Sequence, residues 1–432
     1  MDSLHTRRIF LSRGLTVLSA AATLPLFVQR TAFAMNNPHD LPLTQAAAGR
    51  GDSRVLVVIQ MGGGNDGLST VIPVDNDDYR RARPRLAITQ NLLPLDKSLA
   101  LHPAMKGLKA LYDEGRMGVA LGVGYPNPNR SHFRSMAIWQ TGQPAIDGNS
   151  GWLGRYFDAQ CCGADPVKPD AGISIGPLSP LTLKGAKFQP ISFQTPELFQ
   201  WLPGRGKDAY HRHLHEAYEI VNGINPAAVA GMPRGNPELD FLERTALDAE
   251  VSGTEVRHAV GRAQNHASYP PSELGKSLSL VAKMIAAELP TRVYYVSIGG
   301  FDTHAQQPKR HDNLMADLSA GLSAFMADLK AQNLEDRTLV MTFSEFGRRV
   351  AENASQGTDH GTAAPMFLLG GGIRGGLIGR QPSLAPADLQ MGDLKFSTDF
   401  RTVYAGVLSE WLKTDSSGVL GKKFNSIDFV KS

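Results

Sequence analysis

The chain has 432 residues, 42% of them hydrophobic and 20% charged, which suits a globular protein with a large core. Its formal charge of +3 resides in residues 1–34, where Arg7, Arg8, Arg13 and Arg30 stand against Asp2 alone. The remainder is neutral, so charge gives no case for nucleic acid or an anionic membrane as a partner. The two cysteines, Cys161 and Cys162, are adjacent, which rules out a disulfide scaffold and argues against a cysteine-based zinc site.

The chain opens with paired arginines, an apolar run over Leu15–Phe27 and the small-residue stretch Ala32-Phe33-Ala34. This reads as a twin-arginine export signal over residues 1–34, cleaved after Ala34, and as periplasmic or secreted localisation. Residues 35–52 read as a polar linker. No later stretch approaches about 18 apolar residues, so no stable membrane span is expected in the mature chain.

From residue 53 onward, short apolar runs alternate with helical periodicity. Val55–Met61, Met117–Val123, Val293–Ile298, Thr338–Phe343 and Met366–Leu369 read as buried strands. Pro103–Gly115, Ser131–Thr141, Glu238–Ala263, Ser272–Leu289, His311–Gln332 and Phe400–Leu412 read as helices. The alternation predicts an α/β fold with a mainly parallel central sheet. Residues 53–432 are expected to form one domain, with an insertion at about 151–251 that packs over the site and selects the substrate.

Polar clusters follow several of these strands, where open α/β sheets bind their ligands. Phe301-Asp302-Thr303-His304 places a carboxylate and an imidazole two residues apart after Val293–Ile298. Both groups ligate hard or borderline divalent ions, and a charge beside a buried strand end is costly unless paired or metal-bound. Asp359-His360-Gly361 sits among small residues just before a strand. Ser344-Glu345-Phe346-Gly347-Arg348 offers Glu345 as a ligand and Arg348 as a fork for an anionic oxygen. The turn Gly62–Gly67 lacks the lysine of a phosphate-binding loop, and Asp66, or Asn65, is the better-founded metal ligand there. Asn129-Arg130-Ser131-His132 opens a helix, where an anion is favoured; Ser131 is a candidate nucleophile beside His132, and Ser is equally an ordinary helix cap. His311 is a second-rank ligand. No organic cofactor site is expected.

Taken together, G-G-N-D-G, N-P-N-R-S-H-F, G-G-F-D-T-H, F-S-E-F-G-R and T-D-H-G-T-A-A-P resemble the segments of a widespread bacterial family. It is known only as domain-of-unknown-function family 1501, and its members usually carry twin-arginine signals. The resemblance runs from about Arg54 to Leu412. That family is grouped with the alkaline phosphatase/sulfatase-like superfamily, which implies a three-layer sandwich of alkaline phosphatase-like type. It also implies metal ligands at Asp66, at Asp302 with His304 or His311, and at His360, and a nucleophile at Ser131 or His132.

The resulting expectation is an exported hydrolase acting on phosphate or sulfate esters. Zn, Mn, Mg or Ca would be held among Asp66, Asp302, His304, Glu345 and His360. Ser131, His132, Arg130 and Arg348 would serve the chemistry. A non-catalytic periplasmic binding or assembly protein on the same scaffold is the alternative.

Overall fold

In the run Val55-Leu56-Val57-Val58-Ile59-Gln60-Met61, Val55, Val57, Ile59 and Met61 enter one hydrophobic core, and Leu56 and Val58 enter another. A strand with period-two side chains and apolar residues on both faces must lie between two helical layers. The structure, a computed structural model, describes residues 54–144, 148–160, 169–176, 179–194 and 256–431. The expected signal, the linker, the two cysteines and all of 195–255 lie outside these residues.

The strands are β1 (Val55–Met61), β2 (Val71–Pro73), β3 (Leu93–Pro94), β4 (Leu99–Leu101), β5 (Met117–Gly124), β6 (Gly172–Ile175), β7 (Ile191–Phe193), β8 (Val293–Ile298), β9 (Thr338–Phe343), β10 (Ala364–Leu369), β11 (Gly376–Ile378) and β12 (Thr398–Asp399). Among the described residues, nine strands make one sheet in the order β11-β5-β10-β9-β1-β8-β6-β7, with β12 also paired to β5. The β1 strand runs parallel to β8 and β9. The β10 strand alone runs against its neighbours, β5 and β9. A small antiparallel sheet, β2-β4-β3, stands apart.

The longer helices are α1 (Lys106–Asp113), α2 (His132–Thr141), α3 (Trp152–Gln160), α4 (Glu273–Ala286) and α5 (Gln307–Ala331), followed by α6 (Phe400–Gly406). Leu108 of α1, Leu278 of α4 and Leu322 of α5 pack with the Val57 face of β1, while Trp139 of α2, Trp152 of α3 and Tyr404 of α6 pack with the Leu56 face. The fold is therefore the expected three-layer α/β sandwich on a mainly parallel sheet. Helix α5 begins at Gln307, a turn before the predicted His311, because Pro308 is tolerated in a first helical turn, where its missing N–H has no partner to lose.

The described part of 151–251 includes two strands of the central sheet. The β6 strand pairs in parallel with β8, and β7 pairs with β6, so this stretch is the edge of the central sheet. These strands are only four and three residues long, which leaves little periodicity to read.

The parallel register brings the ends of β1, β5, β8 and β9 to one edge. Because β10 is antiparallel, its beginning lies there too. Every polar cluster named from the sequence follows one of these ends or precedes β10.

Candidate metal centre

The turn after β1 makes room for the other clusters. Gly63 has φ of +118°, and a Cβ there would stand 2.4 Å from the main-chain nitrogen of Asp302. Gly64 has φ of +82°, and its Cβ would strike the Phe346 ring at 2.4 Å. Glycine alone meets both demands, a left-handed backbone and contact with no side chain.

Asp302 and three imidazoles converge beyond this turn. His304 Nε2 lies 3.1 Å from Asp302 Oδ1, and His360 Nε2 lies 3.2 Å from the same oxygen. His132 Nε2 is 3.5 Å from Asp302 Oδ2. The Nε2 atoms of His304 and His360 are 2.9 Å apart. Ligand atoms of His132, Asp302 and His360 all fall within 4.8 Å of one another. Phe346 underlies the rings, with centroids 4.9 Å from His132 and 4.7 Å from His360.

The outer nitrogen of each ring faces an acceptor. His360 Nδ1 donates to the Arg130 carbonyl at 2.8 Å, and a carbonyl can only accept. His132 Nδ1 donates to Glu345 Oε1 at 2.8 Å, and His304 Nδ1 donates to Asp359 Oδ1 at 3.0 Å. These partners place the proton on Nδ1 and leave the Nε2 lone pairs directed inward at each other and at a carboxylate. Such a set of acceptors is mutually repulsive until a cation or further protons enter. Burial pushes the His360 imidazole below its usual range, although the Arg130 carbonyl and the Asp302 carboxylate, which favour the protonated ring, oppose this. Extra protonation there is thereby disfavoured. The donor set thus fits a divalent metal ion, with Glu345, Asp359 and a main-chain oxygen orienting the ligands from behind.

Asp302 and Asp359 are held ionised. Burial acts to raise the Asp302 pKa, but the Arg348 guanidinium bonded to it prevails and lowers it to about 2. Hydrogen bonds from His304 and Asn353 hold Asp359 below the ordinary carboxylate range. Glu345 is buried; its Oε1 also accepts from the Gly63 N–H at 2.8 Å, and its Oε2 from the Ser344 hydroxyl at 3.2 Å.

The sequence-named residues separate accordingly. The structure brings together Asp302, His304, His360 and His132. Glu345 stands behind His132 as its hydrogen-bond partner instead of completing the ring of inward-facing donors. Asp66 departs from its expected place. It is buried with both oxygens on Arg83, at 2.6 and 2.9 Å, and it also accepts from Ser69 at 2.7 Å and from Gln307. A carboxylate so saturated has no lone pair aimed at the cluster. His311 lies beside that buried pair, 3.4 Å from Thr70 Oγ1, and not among the converging imidazoles.

Arg348 also differs from expectation. Its buried side chain donates to the carbonyls of Gly63, Gly64, Phe301 and Thr358 and to Asp302 Oδ1, so its donors are occupied by the protein itself. Arg130 pairs with Asp393 while remaining about one-third exposed. Ser131 is the exposed N-cap of α2, one residue from His132. Three contributors escaped the sequence reading. Asp359 had a signal in its position beside His360. Phe346 and Arg83 had none, because apolar packing under a ring and a pairing across 17 residues leave no pattern.

These features define a three-layer α/β protein with an imidazole–carboxylate cluster at the carboxyl edge of its sheet. Residues 228–418 match the family model described as protein of unknown function (DUF1501), and the last three of the five motifs fall within the match. No curated protein matches the sequence. Solved structures similar to the chain include the PsFucS1 sulfatase from Pseudoalteromonas sp., at 11% identity and a TM-score of 0.34 over 79% of this chain and 67% of that one. Another is the C-terminal periplasmic domain of EcEptC from Escherichia coli, in complex with Zn, at 10% and 0.33 over 74% and 73%. A third is a protein in the alkaline phosphatase superfamily from Vibrio parahaemolyticus, at 8% and 0.32 over 77% and 63%. At these scores none of them assigns a role to a residue here. No helix among the described residues is long and apolar enough to cross a membrane.

Proposed function

We propose that the chain is an exported metal-dependent hydrolase of phosphate or sulfate esters. The observation that carries the reading is the convergence of inward-facing Nε2 atoms on Asp302, each ring fixed from behind by an acceptor on Nδ1. His132, His304, His360 and Asp302 would hold the ion. An imidazole-rich set favours Zn over Mn, Mg or Ca, which prefer oxygen-rich surroundings. When bound, the ion supplies positive charge against the anionic group being transferred.

The chain's own residues orient and neutralise. Glu345 fixes the His132 ring and Asp359 fixes His304, so the centre is preorganised. Arg348 ties the loops after β1 and β8 together and keeps Asp302 ionised. Arg130 is the partly exposed cation at the edge, suited to steady an anionic substrate. Ser131 offers a hydroxyl next to His132 at the start of α2.

The reading is tested by metal analysis of the purified chain, followed by a panel of phosphomonoesters, phosphodiesters and sulfate esters. We expect a stoichiometric ion, lost together with turnover in Asp302→Ala and His360→Ala. Folded protein without metal, and indifferent to both changes, would sink it. Retained metal with no turnover of any ester would support the alternative, a periplasmic binding protein on a hydrolase scaffold. The internal commitment of Arg348 and the position of Ser131 outside the cluster favour that alternative.

A further inference from the structure

The two segments that carry Asp302, His304, Asp359 and His360 lie in main-chain contact. The Thr358 N–H donates to the Thr303 carbonyl at 3.1 Å, and a Cβ on Gly357 would stand 2.2 Å from the His304 carbonyl carbon. Thr303 sits between Asp302 and His304, and Thr358 comes two residues before His360. Both threonines are wholly buried, and their hydroxyls reach one and the same atom. Thr303 Oγ1 lies 3.0 Å from Gln307 Oε1, and Thr358 Oγ1 lies 2.6 Å from it.

Gln307, the buried first residue of α5, is held in one orientation by Asp66. Burial acts to raise the Asp66 pKa, but the Arg83 guanidinium prevails and holds it far below the ordinary carboxylate range. An ionised carboxylate can only accept, so the Gln307 Nε2 end faces Asp66 Oδ2. The Oε1 end is left facing the threonines, and both hydroxyls donate to it. The main-chain N–H of Gln307 donates to the Gln356 carbonyl at 2.9 Å, which ties the start of α5 to the second segment as well. A buried polar network with its members satisfied specifies a single arrangement.

We infer that Gln307 is a positioning residue for the metal centre, its side-chain oxygen clasping the Asp302–His304 segment to the Asp359–His360 segment. This role rests on the metal-binding part of the function proposed above and not on ester turnover. Gln307 reaches the cluster only through the two threonines, and each threonine adjoins residues whose side chains converge there. Glutamine suits the place because one planar group must donate on one side and accept twice on the other.

The test uses the cobalt(II)-loaded full chain, whose visible bands report the ligand geometry and whose affinity is read by competition with a chelator. Gln307→Leu removes the amide, while Thr303→Val and Thr358→Val remove the hydroxyls and keep the shape. We expect Gln307→Leu to weaken cobalt binding roughly tenfold and to shift the bands, in protein that circular dichroism shows to be folded. A merely structural role would lower the unfolding midpoint and leave the bands in place. Each valine variant should produce part of the effect. Adding Gln307→Leu to the double valine variant should then change cobalt affinity no further, because the shared oxygen has already lost both partners. Wild-type affinity and bands in folded Gln307→Leu protein would overturn the role, as would three effects that simply add. Should Gln307→Leu fail to fold, the valine variants decide, and wild-type affinity and bands in both overturn it. Absence of cobalt binding by the wild-type chain overturns the metal reading and this role together. No readout involves an ester, so failure of the ester reading alone is seen separately.

Discussion

His360 Nδ1 donates to the main-chain oxygen of Arg130 at 2.8 Å, across 230 residues of sequence. A main-chain acceptor cannot be removed by changing a side chain, so this tautomer is fixed by the fold. The other two rings depend on carboxylates, and that difference makes them the ones to perturb.

Glu345→Gln and Asp359→Asn are expected to weaken metal binding by roughly 10- to 100-fold each, since such outer partners typically matter by that factor. Competition with a chromophoric chelator reads the effect. Unchanged affinity in both variants would mean that the rings are not oriented by these acids.

Asp66 and Arg83 form a buried pair with no exposed side-chain surface. Arg83→Met leaves an uncompensated carboxylate and should cost about 3–5 kcal/mol in urea unfolding. Metal content of the folded fraction should stay at the wild-type level. Loss of the ion from folded Asp66→Asn protein would instead return Asp66 to the ligand set.

His311 is held neutral. Burial pushes its pKa down from 6.5 to about 4, with Asp66 opposing and His102 and Arg83 adding to the effect. Between those values the unfolded chain binds a proton that the folded chain refuses. Stability therefore rises with pH across this window and is lost as pH falls from about 6.5 towards 4, by up to about 3 kcal/mol. Denaturation midpoints from pH 4 to 7 measure the slope, and His311→Gln should flatten it.

Gly63→Ala should lower stability by about 2–4 kcal/mol, combining a left-handed backbone with a clash against the Asp302 main chain. Metal affinity should fall as well, because the displaced segment carries Asp302. A thermal melt with and without added zinc separates the two effects.

The long strands were legible because both faces of the central sheet are apolar. Val55–Met61, Val293–Ile298 and Thr338–Phe343 needed no change. Gly172–Ile175 and Ile191–Phe193 were missed because strands this short carry too few residues for a pattern. Asp302, His304 and His360 stood out as polar residues beside strand ends. The sequence could not reveal that Asp66 finds Arg83, or that Arg348 turns to carbonyls. Acids and arginines look alike whether they meet a ligand or each other, and only the packing decides.

The cluster is assembled from loops that meet only when the sheet has closed; His132 and Glu345 alone are 213 residues apart. An ion can therefore be captured only by a finished fold, and its capture then resists unfolding by mass action. If the paired arginines send the chain across a membrane already folded, the ion is chosen where synthesis occurs, not where the protein works. Cytoplasmic metal supply, and not that outside, would then decide which element occupies the centre.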